Sequence, residues 1–257
     1  MSPSDAGGPR APSELAPGPI VSVTREPGRP TATTEPRSLA FFTDFLTSEI
    51  VQERLLQSTL SHLYLTLVPI ALAIAIGLAL GITAHRVAAV RGIIVSTTSA
   101  ILTIPSLALF ALFIPFVGIG NNGPLIALTL YALLPIVRNT VSGLRSVDPA
   151  VVESAKGMGM SAGKRLWRIE LPNAWPVVLA GVRVASLLVV GIAAIAVLVG
   201  GDGLGQLIYT QGVRRIGSPG AFEYLLAGTL AVIVLAVLID LVYLAIGRIT
   251  IPRGLRD

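Results

Sequence analysis

Five runs of apolar residues, at about 62–83, 92–117, 123–142, 174–199 and 222–247, constrain this 257-residue chain more than any other feature. Each reaches the roughly 20 residues that an α-helix needs to cross the hydrocarbon core of a bilayer. Charged residues make up 13% of the chain, against about 25% in average proteins, and mean hydropathy is +0.79. The fold class expected is therefore an all-α membrane protein with about five transmembrane helices. The second run carries Pro105 near its middle. A single kinked helix is expected there, because each half alone is too short to cross.

Residues 1–40 are rich in Pro, Gly, Ser and Thr, lack apolar periodicity and are expected to form a disordered tail. They contain no continuous apolar stretch of the kind found in a cleaved secretory signal. Residues 41–60 read as an amphipathic lead-in helix, with Phe45, Ile50, Leu55 and Leu56 as the buried positions.

A net charge of +5 and a pI of about 10.1 suit nucleic acid in general. Here the basic residues sit mainly in short connections beside apolar runs, which is the positive-inside pattern, and nucleic-acid binding is set aside. His85, Arg86 and Arg91 lie in the first connection. Arg138, Arg145, Lys156, Lys164, Arg165 and Arg168 lie in the third, and Arg248, Arg253 and Arg256 in the tail. The second connection, GIGNNG, has no charge, and Arg214 and Arg215 in the fourth oppose the trend. Five spans place the third connection and the C-terminus in the cytoplasm and the N-terminus outside. A six-span division at Pro105 would place the N-terminus inside.

The third connection, residues 143–173, is polar and basic and contains DPAVVESAKGMGMSAGKRLWRIELP, Asp148 to Pro172. Asp148 is a good N-cap with Pro149 in the first helical position, and Gly157 offers a stop. Ser161 caps a second helix that Pro172 is expected to end. Lys164, Arg165 and Arg168 give that second piece a basic surface, while Leu166, Trp167 and Ile169 are free to pack. A helix pair on one membrane face is a docking element. Gly157 and Gly159 serve the turn between its helices. They do not form a dinucleotide fingerprint, since no strand precedes them.

Glu153, Ser154 and Ala155, then Gly159 after three residues, then Ile169, Leu171 and Pro172 after nine more match the spacing of the EAA loop of ATP-binding-cassette import permeases. Ser154 for Ala is the one departure, small for small. Residues 103–149, 171–185, the turn VGGDGLG at 199–205 and the ending at 239–255 narrow the likeness. They resemble permeases for glycine betaine, choline, proline betaine, carnitine and related quaternary-ammonium osmoprotectants. The resemblance runs from about residue 58 to the C-terminus and implies a type I importer transmembrane domain over 58–250 in a bacterial cytoplasmic membrane. It also implies a cytoplasmic ATPase dimer docked on the loops, a second permease subunit (identical or paralogous), an extracytoplasmic substrate-binding protein and membrane lipid. Methionine, another amino acid or a sulfonate is the alternative cargo.

No phosphate-cradling loop with Lys-Ser/Thr is present, so ATP hydrolysis must come from a partner. No cofactor is expected. The chain has no Cys, and His62 and His85 are too far apart to suggest a metal site. An intramembrane enzyme or a channel needs converging acids, nucleophiles or charge rings within spans, and the runs offer little of either. Asp240 and Arg183 are the acid and base deep within spans, each about seven residues, or roughly 10 Å, from a run's end. They are expected to pair between the fourth and fifth spans as a structural tie. Thr98, Thr103, Pro105 and Ser106 either open the helix to a translocation path or form an ordinary kink with their hydroxyls bonded back. Asn121 and Asn122 read as turn residues. Gly77 with Gly81, and Gly181 with Ala185, have the spacing of close helix packing. Trp167 and Trp175 read as interfacial anchors.

Overall fold

A computed structural model describes residues 49–251. The tail at 1–40, the lead-in residues 41–48 with Phe45, the Ile50 side chain, and Arg253 and Arg256 lie outside the described residues. Every element in the described part is helical.

Helix α1 spans Glu49–Arg86, 38 residues, with Pro69 inside it. The lead-in segment is therefore continuous with the first span. Nothing between residues 49 and 62 breaks the helix, and one stripe stays turned inward through Val51, Leu55, His62, Leu65 and Ile70. Leu56, one position off that stripe, is 63% exposed, contrary to expectation.

The second apolar run is two helices, α2 (Ala88–Thr103) and α3 (Ser106–Val117), bent by 98° at Ile104–Pro105. This corrects the single kinked helix. Pro105 removes an amide donor and forces the preceding residue to be extended, and Ile104 sits at φ −68°, ψ 132°. The Ile104 carbonyl accepts from the Tyr131 hydroxyl at 2.7 Å, so the break is satisfied inside the protein.

Helix α4 (Asn122–Arg145) is the central element, buried along most of its length. Both limbs of the bent pair contact it. Ser99 lies at Arg138, Ile104 at Tyr131, and the Phe110 carbonyl beside Gly123. Four helices among the described residues are long and apolar enough to cross a membrane, and the bent pair, counted as one broken span, makes a fifth.

After the helix pair, α7 (Leu171–Ala193) packs on the other side of α4. Glycines set both approaches. A Cβ on Gly81 of α1 would lie 2.5 Å from Thr140 Cβ, and one on Gly181 of α7 would lie 2.5 Å from Asn139 Cβ. A 3-10 segment (Ala194–Val199), a glycine turn, a π segment (Gln206–Gly212) and a short 3-10 turn (Val213–Arg215) lead to α8 (Ala221–Thr250). From Leu230 to Ala245 the exposed positions of α8 are all apolar, with Leu230, Ile233, Val234, Val237, Leu238 and Leu241 each about half exposed. Such a surface suits lipid. At this end Asn121 does more than turn the chain. Its amide nitrogen donates to Asp202 Oδ2 at 2.9 Å and its oxygen accepts from the Asp202 amide at 2.7 Å, latching the two turns together.

Candidate functional site

The segment between α4 and α7 is built by its caps. Asp148 accepts from the Ala150 amide at 2.8 Å and starts α5 (Pro149–Gly157), with Pro149 in its first turn. Gly159 turns the chain at φ +76°, a conformation that L side chains rarely adopt. Ser161 then accepts from the Lys164 amide and starts α6 (Ala162–Arg165).

Pro172 does not end that second helix. A π turn over Leu166–Glu170 continues it into α7 without interruption, the Leu171 amide donating to the Leu166 carbonyl. The wider π ring shifts the carbonyls that a proline ring would otherwise strike, so Pro172 is carried in the first turn of α7.

The motif residues divide by exposure. Ala155 is buried at 1%, while Glu153, Ser154, Gly159 and Pro172 are exposed and Ile169 and Leu171 half-buried. Lys156 donates to Glu153 Oε1 at 2.8 Å and holds that carboxyl below the usual carboxylate range. Val151, Met158 and Trp167 stand open, Met158 at 69% and Trp167 at 65%. The pair thus exposes apolar side chains together with Lys164 and Arg168, on a surface left open by the described elements. Trp175, by contrast, donates from Nε1 to the Thr250 hydroxyl at 2.8 Å, tying the start of α7 to the end of α8.

Beneath the pair lies a residue that the sequence reading passed over. Glu170, 3% exposed, takes Arg165 Nε on Oε1 at 2.8 Å and faces Arg86 at 3.2 Å through Oε2. Arg86 also donates to the Ala162 carbonyl at 3.2 Å. The last residue of α1 is therefore pinned to the foot of the pair.

Arg183 and Asp240 are brought together. The guanidinium grips the carboxylate with two bonds, from Nε to Oδ1 and from Nη2 to Oδ2 at 2.8 Å. About one turn farther along, the Ser186 and Tyr243 hydroxyls are bonded at 2.8 Å. The path candidates separate. Thr98 is 3% exposed and bonded back to the Ile94 and Val95 carbonyls, so it faces the interior. Thr103 and Pro105 are exposed and Ser106 half-buried. The Thr103 hydroxyl also bonds back, to the Ala100 carbonyl. Thr103 continues an open stripe of α2 through Ser96 and Ser99, and on α4 the open positions opposite are Arg138 and Ser142.

Residues 46–250 match the family described as binding-protein-dependent transport system inner membrane component. The chain belongs to that family. Among curated relatives, the permease is 36% identical over 202 residues to the glycine betaine/carnitine/choline transport system permease protein OpuCB of Bacillus subtilis (strain 168). That alignment covers 79% of this chain and 91% of the relative. It is 37% identical over 203 residues to the osmoprotectant import permease protein OsmW of Salmonella typhimurium, covering 77% and 92%. Its fold matches the MetNI methionine ABC transporter with a TM-score of 0.71 at 23% identity, covering 79% of this chain and 99% of that one. The architecture is that of a type I ABC importer transmembrane domain, a multi-pass membrane subunit.

Within the permease, the Arg183–Asp240 clasp makes a specific prediction. Asp240→Asn leaves a guanidinium inside the spans without its counter-charge, which is costly. The folded fraction, measured as monodisperse material after mild solubilisation, is expected to fall. Adding Arg183→Gln should recover most of it. A purely additive loss in the double variant would show that the pair contributes no coupling between α7 and α8.

Proposed function

We propose that this permease is the membrane-spanning half-translocator of an ATP-driven, binding-protein-dependent importer of quaternary-ammonium osmoprotectants. The observation that carries the cargo class is sequence identity of 36% across 91% of a permease named for glycine betaine, carnitine and choline. The methionine transporter shares the fold at 23% identity and carries no weight for cargo.

Glu153, Ser154, Ala155 and Gly159 shape a knob for the groove of a cytoplasmic ATPase, with Val151, Met158 and Trp167 as its apolar contacts. Ile169, Leu171 and Pro172 join that knob to α7, so a push on the pair is delivered along a continuous helix. Loop charge supports a cytoplasmic position for the pair and an outer one for the Asn121–Asp202 latch, in a bacterial cytoplasmic membrane. The translocation path runs along the polar stripe of α2 and α4 past Thr103, Pro105 and Ser106, completed by a second permease subunit. An extracytoplasmic binding protein delivers the solute to the latch end. Arg183 and Asp240 hold the lipid-facing α8 against α7.

Two measurements test this. Mild solubilisation should recover an ATPase, a second permease copy or paralogue, and a binding protein with this chain. A strain lacking it should lose uptake of radiolabelled glycine betaine. Undiminished uptake of every quaternary-ammonium solute, with loss of methionine or a sulfonate, would move the permease to the alternative cargo.

A further inference from the structure

Between the start of α2 and the end of α4 lies an open groove of about 500 Å³, and no role assigned above uses its charge. Arg91, Arg138 and Arg145 line it together with Ser96 and Ser142, and no acid does. None of the three arginines is in a salt bridge among the described residues, and the nearby acid Glu170 is already held by Arg86 and Arg165. Arg91 donates to the Ala84 and His85 carbonyls at the end of α1, at 2.9 and 3.2 Å. Arg138 donates to the Ser99 hydroxyl at 3.1 Å. Arg145 has no hydrogen-bond partner among the described residues. Three neighbouring cations without a counter-charge, set in low-dielectric walls, concentrate anions.

Depth decides which anion. Arg91 and Arg145 lie near helix ends, the level expected for lipid phosphates. Arg138 is two turns farther in, about 10 Å along α4, beside the hydroxyl stripe of Ser96 and Ser99. A headgroup reaches the outer two arginines, whereas a small solute in a water-filled passage reaches Arg138. We propose that Arg138, backed by Arg91 and Arg145, is an oxyanion subsite that engages the carboxylate of a zwitterionic solute in transit. A guanidinium matches a carboxylate with two parallel N–H···O bonds. A fixed cation without a carboxylate, such as choline, gains nothing there and is opposed by the same field. The subsite rests on the import reading above and adds to it a discrimination among its solutes.

The absence of native cysteine makes Ser142→Cys a single reporter on this chain. In inside-out vesicles holding the assembled importer, its labelling by an anionic and a cationic methanethiosulfonate is compared, each rate normalised to free cysteine. The anionic reagent is expected to lead by about tenfold, the preference shrinking with salt. Adding Arg138→Gln should bring the ratio near unity, and Arg138→Lys should retain most of it. A cysteine reached by neither reagent, or reached without charge preference, overturns the subsite. So does a preference that depends on the anionic-lipid content of the vesicles, which assigns the groove to a headgroup.

The second readout is transport in proteoliposomes. Arg138→Gln should lower glycine betaine uptake about tenfold, the loss expected for one charge-assisted contact, and leave choline uptake unchanged or raised. Equal losses for both solutes overturn the discrimination. If the wild-type importer carries neither solute, the import reading fails by itself, and the labelling ratio still judges the subsite.

Discussion

Gly181→Leu is expected to remove the permease from the membrane as a folded protein. A Cβ at this position would lie 2.5 Å from Asn139 Cβ and 2.8 Å from the Pro135 carbonyl oxygen. The second neighbour is main chain in the central helix, so the clash is relieved only by moving α7 away from α4. Overpacking costs about 1–3 kcal/mol where side chains can give way, and a leucine against backbone should exceed that range. Gly191 on the same helix is the control, because a Cβ there meets nothing within 4 Å. Gly191→Leu should solubilise as a monodisperse species in wild-type yield, while Gly181→Leu should aggregate or be degraded. A Gly181→Leu protein with normal yield and thermal midpoint would mean that α4 and α7 do not pack this closely.

How much of this was legible follows from where each feature is encoded. Apolar run length could be read directly, which located the long helices, and Asp148 and Ser161 announced their helices because capping is local chemistry. Arg183 and Asp240 stood out because a charge within an apolar run must find a partner there. The 98° bend was not readable. Pro105 signals a break, but its angle depends on Tyr131, 26 positions later, capturing the carbonyl of Ile104. Pro172 misled for a related reason, since a π turn that carries a proline onward is an accommodation by the surrounding helix. Leu56 shows the limit of a short amphipathic pattern, where one position decides between the buried stripe and the open face. Glu170 was invisible because an acid among basic residues looks like a solvated surface. Its burial comes from Arg86, at the far end of another helix.

That position yields the second large expected effect. Glu170→Ala should uncouple the importer while leaving its spans assembled. Removing the acid leaves Arg165, 12% exposed at its side chain, facing Arg86 with nothing between them. Breaking a buried pair from one side costs about 3–5 kcal/mol. Arg86 is 30% exposed and can turn to water, so the lower part of that range applies. The loss falls at the foot of the helix pair, where α1 is fastened to the element proposed to receive the ATPase. Solute moved per ATP hydrolysed is therefore expected to fall several-fold, with hydrolysis persisting. Glu153→Gln is the comparison, because Glu153 is exposed and is bonded to Lys156, within its own helix. It should leave folding unchanged and act only through docking. If the fastening runs through the pair, Glu170→Ala and Arg86→Ala together should cost less than the sum of each alone. Wild-type stoichiometry in Glu170→Ala would take α1 out of the route by which force reaches the spans, leaving α7 to carry it alone.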